Sequence, residues 1–416
     1  DLLDAEGLNP DALVELLVRA CNLGILLAVA RILPKESFGI LVFAYTLAET
    51  ILIVPAFGFE SLLVRDLARK PGRAGLLLSH VFALRALGYL PAAGLCLFLA
   101  SRAEAGRGET LLVALVFRAA AANQALQLMC VCFRARQAFG LEGRLRFLAA
   151  IGSLGAALGV LLAGGGLAGV ILARMAITGL AAGAGLLLVF RLYRPRLVRP
   201  RRRTALVLLR RAAPLAALLI LVQLYLGSPG IVLGLLSDQA TVADFGAAQR
   251  ILILLLMAAA SLSSAAFPAL AADHAAGGGT FRATLRRALA WTIALALPLS
   301  LGLLFLGKEC VLLLFGTKYP GGGAVLGVLA LCLLPDFLNH ILAVALIAAN
   351  RNKGALLGAL AGAAVALGAS VPFIAWWQAR GAALAMAAAM GAACAVQLFF
   401  LRGIGATGRP SNAEAP

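Results

Sequence analysis

The sequence predicts an all-α integral membrane protein with about 12 transmembrane helices in two six-helix lobes. Hydrophobic residues make up 62% of its 416 residues, and long apolar stretches follow one another along the chain. A transmembrane helix needs about 20 mostly apolar residues to cross the hydrocarbon core. Stretches of this kind lie at 12–33, 37–59, 74–100, 110–133, 147–164, 167–190, 212–236, 245–270, 288–307, 321–349, 354–377 and 381–401.

The gaps between these stretches differ sharply in positive charge. Numbered in order, the even gaps and the C-terminal segment hold 24 Lys and Arg residues, whereas the odd gaps, counted together with Arg31 at the end of the first stretch, hold seven. Because loops rich in Lys and Arg remain in the cytoplasm, the even gaps and both termini are predicted to be cytoplasmic. The net charge of +18 therefore reflects membrane topology. The aromatic residues expected within a nucleic-acid-binding surface are missing from the basic runs, so no nucleic-acid partner is predicted.

Six predicted spans lie on each side of the most basic gap, which gives the two halves the same orientation. Parallel repeats are a recurrent plan of membrane transporters. The predicted organisation is an N-terminal lobe at 1–190, a basic cytoplasmic connector at 191–211, a C-terminal lobe at 212–402 and a cytoplasmic tail at 403–416. The connector is interpreted as a linker that fixes the topology, and contact with anionic lipid headgroups is the alternative.

Two segments predict local irregularities. Gly227-Ser-Pro-Gly230 predicts a broken helix in the seventh span, because such breaks are tolerated where a water-filled cavity satisfies the backbone. The longest outer gap, 308–320, predicts an amphipathic segment at the membrane interface. All gaps are too short for a soluble domain, so any chemistry is expected within or beside the bilayer.

Enzyme signatures are missing from the sequence. It has no G-x-x-x-x-G-K-[S/T] phosphate-binding loop. The seven cysteines lack the spacing of zinc sites, and the three histidines are too dispersed to share a site. The chain is therefore predicted not to be an enzyme and to use neither a cofactor nor a metal.

Four arginines inside the predicted spans are the strongest candidates for substrate binding. They are Arg19, Arg85, Arg118 and Arg250. An ionisable residue within the membrane is costly and indicates function by default. Arginine remains charged and forms paired hydrogen bonds with phosphate oxygens, so binding of an anionic substrate is predicted. Structural pairing with carboxylates is the alternative, and Glu15 lies on the same helix face four residues before Arg19.

Three intramembrane carboxylates are candidates for coupling transport to a proton or sodium gradient. They are Glu15, Glu49 and Asp336. Asp336 shares one helix face with Asn339 and His340, which follow three and four residues later. A packed polar cluster is the alternative for Asp336, and pairing with an arginine is the alternative for the two glutamates.

Four segments resemble those of a known family. They are 30–39 (ARILPKESFG), 58–69 (GFESLLVRDLAR), 241–250 (TVADFGAAQR) and 314–319 (LFGTKY). They are similar to segments of the bacterial polysaccharide, or lipid-linked oligosaccharide, flippases of the multidrug/oligosaccharidyl-lipid/polysaccharide exporter superfamily. The chain departs from the family pattern at the opening turn, which lacks its glycine, and in the seventh span, which lacks its acidic residue.

The resemblance implies two six-helix lobes around a central cavity lined mainly by the first, second, seventh and eighth spans. In related flippases basic residues of the first and eighth spans meet the pyrophosphate, which favours Arg19 and Arg250. The implied function is to move an undecaprenyl-diphosphate-linked oligosaccharide from the cytoplasmic to the periplasmic leaflet of the inner membrane by alternating access. Its product would feed assembly of a surface polysaccharide such as O-antigen or exopolysaccharide, and a polysaccharide polymerase and glycosyltransferases are the implied protein partners.

Two other functions stay open at this point. The multidrug branch of the superfamily shares the fold, so architecture alone does not select the substrate. A cation-coupled multidrug exporter is therefore an alternative, although the intramembrane arginines speak against it because such exporters often move cations. A non-transporting scaffold for a glycan assembly complex is the third reading, and it leaves those arginines unexplained.

Overall fold

In the computed structural model the described residues form helices joined by turns and short irregular connections. The described residues are 10–103, 107–194, 198–276 and 280–402. Within them the chain forms twelve α-helices and one 3₁₀-helix, at Pro71–Arg73, without a β-strand. Two compact units divide the chain, residues 1–216 and 217–416. The predicted tail 403–416 lies outside the described residues, and the predicted domain boundaries stay predictions.

The first unit contains seven helices and the beginning of an eighth. They are α1 (Pro10–Ile32), α2 (Lys35–Ala56), α3 (Phe59–Arg69), α4 (Ala74–Arg102), α5 (Arg107–Ala135), α6 (Phe139–Leu162), α7 (Gly166–Tyr193) and α8 (Arg202–Leu236). Helix α5 packs against α2, α3, α4 and α7, while α6 packs against α1 and α7. Helix α5 therefore forms the centre of this unit.

The second unit contains the rest of α8 and four further helices. They are α9 (Gln239–Ala275), α10 (Phe281–Phe315), α11 (Gly322–Ala348) and α12 (Asn352–Arg402). Helix α11 packs against α9, α10 and α12 and is the most buried of the four. A non-helical residue, Gln378 (φ 49°, ψ −123°), divides α12 into two halves. These halves, 352–377 and 379–402, match the last two predicted spans.

The halves of α12 pack closely because glycines recur at every fourth position. A Cβ atom on Gly354 would lie 2.9 Å from Cβ of Phe400, and one on Gly358 would lie 2.6 Å from Cγ of Gln397. Gly362 similarly faces the carbonyl oxygen of Ala389. Small residues at this spacing let helix backbones approach each other closely. This matters in lipid, where the hydrophobic effect does not drive helices together.

Ten of the described helices are long and apolar enough to cross a membrane. Helix α12 counts once although it holds two predicted spans, and α1, which carries Glu15, Arg19 and Arg31, is not among the ten. Adding α1 and the second half of α12 restores the twelve spans of the sequence analysis. The all-α membrane fold class is confirmed.

Two local predictions are wrong. Helix α8 runs without interruption through Gly227–Gly230, since a membrane helix tolerates a proline where local adjustments satisfy the freed carbonyl group. The outer segment predicted at 308–320 is not a separate interfacial element, because α10 continues to Phe315. Its residues Val311–Phe315 extend the apolar pattern of the helix past Lys308 and Glu309.

The connector between α7 and α8 is hydrogen-bonded to α4. The backbone N–H of Val198 donates to Oγ of Ser79 (3.1 Å), and that of Arg201 donates to Nε2 of His80 (2.9 Å). Nδ1 of His80 lies 2.7 Å from the carbonyl oxygen of Leu76, and the residue is 1% exposed. His80, which lies within the third predicted span, thus accepts a hydrogen bond from the backbone of the connector.

Candidate functional site

Five charged side chains link α1, α5 and α6 in what is called here the N-terminal network. Glu15 on α1 accepts from Nε of Arg19 at 2.6 Å and lies 2.7 Å from Nη1 of Arg146 on α6. Glu142 lies 3.0 Å from Nε of Arg134 at the end of α5 and 3.8 Å from Nη1 of Arg146. Each glutamate therefore joins its own helix to a second one, and three arginines share the two carboxylates.

The pairing of Glu15 with Arg19, the alternative drawn from their spacing, is observed. Both side chains stay partly exposed, at 32% and 39%. Arg134 and Arg146 belong to the 24 basic residues counted in the even gaps, and Glu142 lies in the same gap. The four-residue spacing of Glu142 and Arg146 could have indicated that these two side chains pair. Their contacts with Arg134 and Glu15 on other helices leave no such pattern in the sequence.

Arg85 on α4 is deeply buried, with a side chain 3% exposed. Its Nη2 donates to Oε1 of Gln124 on α5 at 2.5 Å and lies 3.9 Å from Oε1 of Glu60 on α3. Nε and Nη1 are buried without an acceptor in the described part of the chain. A buried charge normally needs a complete set of partners, so this guanidinium is only partly satisfied.

A break in the second span places Glu60 beside Arg85. Helix α2 ends two residues before α3 begins, and Phe57 (φ 44°) and Gly58 (φ 64°) between them are left-handed. Glycine adopts this conformation without strain. A Cβ atom on Gly88 of α4 would lie 2.9 Å from Cβ of Pro55, so α4 fits tightly against the end of α2. Neither this break nor the contact of Glu60 with Arg85 was predicted from the sequence.

The other two predicted residues of the first unit, Arg118 on α5 and Glu49 on α2, are both exposed. Neither takes part in an ion pair within the described residues. Arg118 and Glu49 are therefore not part of the N-terminal network.

Arg250 on α9 is half-buried, and its Nε is buried without an acceptor among the residues that the structure describes. Its neighbour Gln249 is 6% exposed. Like Arg85, Arg250 retains hydrogen-bonding capacity that the protein itself leaves unused. Of the four arginines predicted to bind substrate, these two have a buried side-chain nitrogen without an acceptor in the described ranges.

Asp336 on α11 is 2% exposed and forms a polar cluster with the next helical turn. Nδ1 of His340 lies 3.3 Å from Oδ2 of Asp336 and 3.1 Å from its carbonyl oxygen. Nδ2 of Asn339 donates to the carbonyl oxygen of Met390 at 3.0 Å. Nδ1 of His340 is placed to hydrogen-bond the carbonyl oxygen, so Oδ2 of Asp336 has no hydrogen bond of its own despite the 3.3 Å contact. Oδ1 of Asn339 is likewise buried without a hydrogen-bond donor in the described residues. The cluster thus presents acceptor oxygens.

Further buried polar side chains in the second unit come from α8 and α12. Tyr225 of α8 is 5% exposed. Oγ of Ser228 and Oε1 of Gln397 are buried without partners in the described ranges. In those ranges no group of three or more His, Cys, Asp or Glu residues is placed to hold a metal ion. The acceptors suit a proton or a monovalent cation better than a tightly bound divalent metal, which prefers several carboxylates.

Solved structures similar to this chain include several membrane transport proteins. Lipid II flippase MurJ in an inward closed conformation matches with a TM-score of 0.79 at 14% identity, over 94% of this chain and 87% of that chain. An inward-facing multidrug resistance MATE family transporter of the MOP superfamily matches with a TM-score of 0.71 at 15% identity, over 92% and 94%. A MOP superfamily transporter from Pyrococcus furiosus matches with a TM-score of 0.61 at 15% identity, over 94% of this chain and 93% of that chain. At 14–15% sequence identity these matches establish a shared fold and do not establish function.

No curated protein sequence matches the chain. The family model described as "polysaccharide biosynthesis protein" matches residues 12–273, well over half of the chain. This match confirms the resemblance to a polysaccharide family, and the fold is the one seen in the MurJ and MATE structures. The chain belongs to the polysaccharide biosynthesis protein family.

Proposed function

We propose that the protein flips an undecaprenyl-diphosphate-linked oligosaccharide from the cytoplasmic to the periplasmic leaflet of the bacterial inner membrane. The mechanism would be alternating access to the two sides of the membrane, while the prenyl tail stays in the lipid. Both termini would be cytoplasmic, as the distribution of Lys and Arg predicts. The family match and the fold support transport of a lipid-linked substrate.

The observation that carries the proposal is the unused hydrogen-bonding capacity of two intramembrane arginines. Arg85 keeps Nε and Nη1, and Arg250 keeps Nε, without acceptors in the described residues. A buried donor without an acceptor is destabilising unless a ligand or water completes it. The phosphate oxygens of a diphosphate are strong acceptors and bear the opposite charge.

The four arginines would contribute differently. Arg250 and Arg85 would bind the diphosphate directly, because each retains free N–H groups. Arg19 would meet it through the exposed part of its side chain while Glu15 holds its Nε. Arg118, which is exposed, would attract the anion at longer range.

Coupling to a proton or sodium gradient is proposed for Asp336, because it is buried and has an acceptor oxygen without a donor. Glu15 is a weaker candidate, since Arg19 and Arg146 both bind it. Glu49 stays a candidate because it is an exposed carboxylate on an apolar spanning helix.

The protein would act between glycosyltransferases that build the oligosaccharide on its lipid and a polymerase that joins the flipped units. Its products would enter a surface polysaccharide such as O-antigen or exopolysaccharide. The chemistry requires this order, because the lipid-linked unit is assembled on one side of the membrane and consumed on the other.

Complementation of a deletion strain tests the diphosphate site. Arg250→Ala is expected to abolish surface-glycan export at an unchanged membrane level of the protein. Arg250→Lys should restore little, because an ammonium group cannot reproduce the planar fork of arginine. Arg286→Ala, which removes an exposed arginine of α10, is the matched control and should complement fully. Full export by Arg250→Ala would refute the proposed site.

A cation-coupled multidrug exporter is the second candidate function. The likeness to a MATE transporter and the buried Asp336 favour it. Deleting the gene separates the two functions. A flippase should leave lipid-linked oligosaccharide on the inner leaflet with unchanged resistance to cationic dyes, whereas dye sensitivity with normal surface glycan would favour the exporter.

A further inference from the structure

The second unit contains a cavity of about 370 Å³ where α10 begins and α12 ends. Its wall is mostly leucine, from α10 (Leu285 and Leu289), α11 (Leu342) and α12 (Leu398). Phe281 and Leu401 also line it, and the remaining two lining residues are Arg282 and Arg402. We refer to it as the α10–α12 pocket, and its volume falls in the range of about 300–1,000 Å³ that is usual for ligand sites.

The arginines and leucines of the pocket are ordered along the helices. Leu285 and Leu289 follow Arg282 by three and seven residues, and Leu398 precedes Arg402 by four. Residues at these spacings share one helix face. Leu289 lies about 10 Å along the helix from Arg282, at 1.5 Å per residue. Positive charge therefore sits at the helix ends, and the apolar wall extends from there along the spanning helices.

Both arginines are exposed, and no residue lining the pocket is acidic. In the described part of the chain Arg402 forms no ion pair. The nearby carboxylate of Asp273 accepts a hydrogen bond from Thr280 and does not line the pocket. Positive charge at one end and apolar surface at the other are complementary to a lipid with an anionic phosphate headgroup.

We propose that the α10–α12 pocket binds an anionic phospholipid. Its phosphate lies between Arg282 and Arg402, which donate charge-assisted hydrogen bonds to the oxygens. One acyl chain lies along Leu285, Leu289 and Leu398. Basic pockets between transmembrane helices are known to bind anionic headgroups in this way. This lipid is a bound membrane component and not the transported substrate, so the proposal does not depend on the proposed function.

Native mass spectrometry of the purified full chain tests the proposal. With phosphatidylglycerol and phosphatidylcholine at equal concentration, the protein is expected to retain phosphatidylglycerol at least tenfold more. Arg282→Gln with Arg402→Gln should remove this preference. The matched control, Arg286→Gln with Arg287→Gln, removes two exposed arginines of the same helix that do not line the pocket, and should keep it. Equal loss in both double variants, or equal retention of the two lipids by the unchanged protein, would overturn the proposal.

A third variant tests the apolar wall with all charges kept. Leu398 is 39% exposed, so Leu398→Trp can fill the pocket with little disturbance of the core. It should lower retained phosphatidylglycerol severalfold at an unchanged thermal midpoint. Glycerol phosphate, the headgroup without chains, should not displace the lipid at equal concentration. Unchanged retention of phosphatidylglycerol by Leu398→Trp, or its displacement by glycerol phosphate, would show that the site binds only the headgroup. Either result would overturn lipid binding in the pocket.

Discussion

The two units of the molecule handle buried polarity in opposite ways. In the first unit the arginines dominate: three arginines share Glu15 and Glu142, and Arg85 retains unused donors. In the second unit acceptors dominate, since oxygens of Asp336, Asn339 and Gln397 lack donors among the described residues. Arg250 is the exception, a donor in the acceptor-rich unit.

This difference suggests a division of labour within the proposed function. Surplus donors suit the anionic diphosphate, and surplus acceptors suit a coupling cation or proton. The N-terminal network differs from both, because its charges largely neutralise one another and tie α1 to α5 and α6. Functional and structural charges are therefore distinguished by whether the protein itself completes their bonds.

The largest expected effect separates Arg85 from the N-terminal network. Arg85→Leu should reduce surface-glycan export at least tenfold while leaving the thermal midpoint in detergent unchanged or higher. Its Nε and Nη1 lack acceptors in the described residues, so replacing the group relieves an unsatisfied buried charge. The control Arg134→Leu breaks a paired contact with Glu142 and should lower the midpoint.

If Arg85 instead holds the helices together, Arg85→Leu should cost about 3–5 kcal/mol, as for other buried ion pairs that lose one partner. A large fall in the midpoint would therefore contradict its assignment to the substrate. Fluorescence-detected size-exclusion chromatography after heating measures both variants in unpurified detergent extracts.

Asp336→Asn addresses the acceptor-rich unit. Transport is expected to slow severalfold or to stop responding to collapse of the proton or sodium gradient. The amount of folded protein should not change, because Asp336 forms no ion pair with an arginine in the described residues. Glu49→Gln is the comparison for a second intramembrane carboxylate. A normal gradient response in Asp336→Asn would remove Asp336 from coupling.

Glu15→Gln should have a moderate effect on stability. It removes the negative charge and one of the two carboxylate oxygens that contact Arg19 and Arg146, which is expected to cost about 1–2 kcal/mol, a value reduced by the partial exposure of all three side chains. In a double-mutant cycle, Arg146→Gln should cost less in the Glu15→Gln background than alone. Additive effects would show that the 2.7 Å contact contributes nothing.

The smallest effect is expected from single cysteines placed in the loops, which should leave transport intact. Cysteines at positions 70, 200 and 352 should react with an impermeant reagent only from the cytoplasm, and those at 238 and 318 only from the periplasm. The result would establish whether the two units have the same orientation. Positions 200 and 238 reacting from one side would remove the twelve-span topology.

Much of the fold could be predicted from the sequence because spanning helices are local. The third predicted span, 74–100, became α4 (Ala74–Arg102), and the spans at 354–377 and 381–401 became the halves of α12. Prolines were poor guides to helix breaks. The helix continues past Pro229, while the observed breaks involve left-handed residues at Phe57, Gly58 and Gln378.

The candidate residues could be named from the sequence, but their partners could not. An arginine in an apolar stretch is visible at once, and the spacing of Glu15 and Arg19 revealed one pair within a helix. The contacts of Arg85 with Gln124 and Glu60, and of Arg146 with Glu15, join residues far apart in the chain. No local pattern encodes such contacts.

The sequence by itself determined the number of spans, the family and the places where charge enters the membrane. Hydropathy and charge act residue by residue, and the cost of placing each group in lipid is independent of its distant neighbours. Only the tertiary structure decided which of these charges are neutralised within the protein and which keep unused hydrogen-bonding groups, as Arg85, Arg250 and Asp336 do. The reason is physical: completing a buried charge requires side chains from other helices, and packing alone brings those helices together.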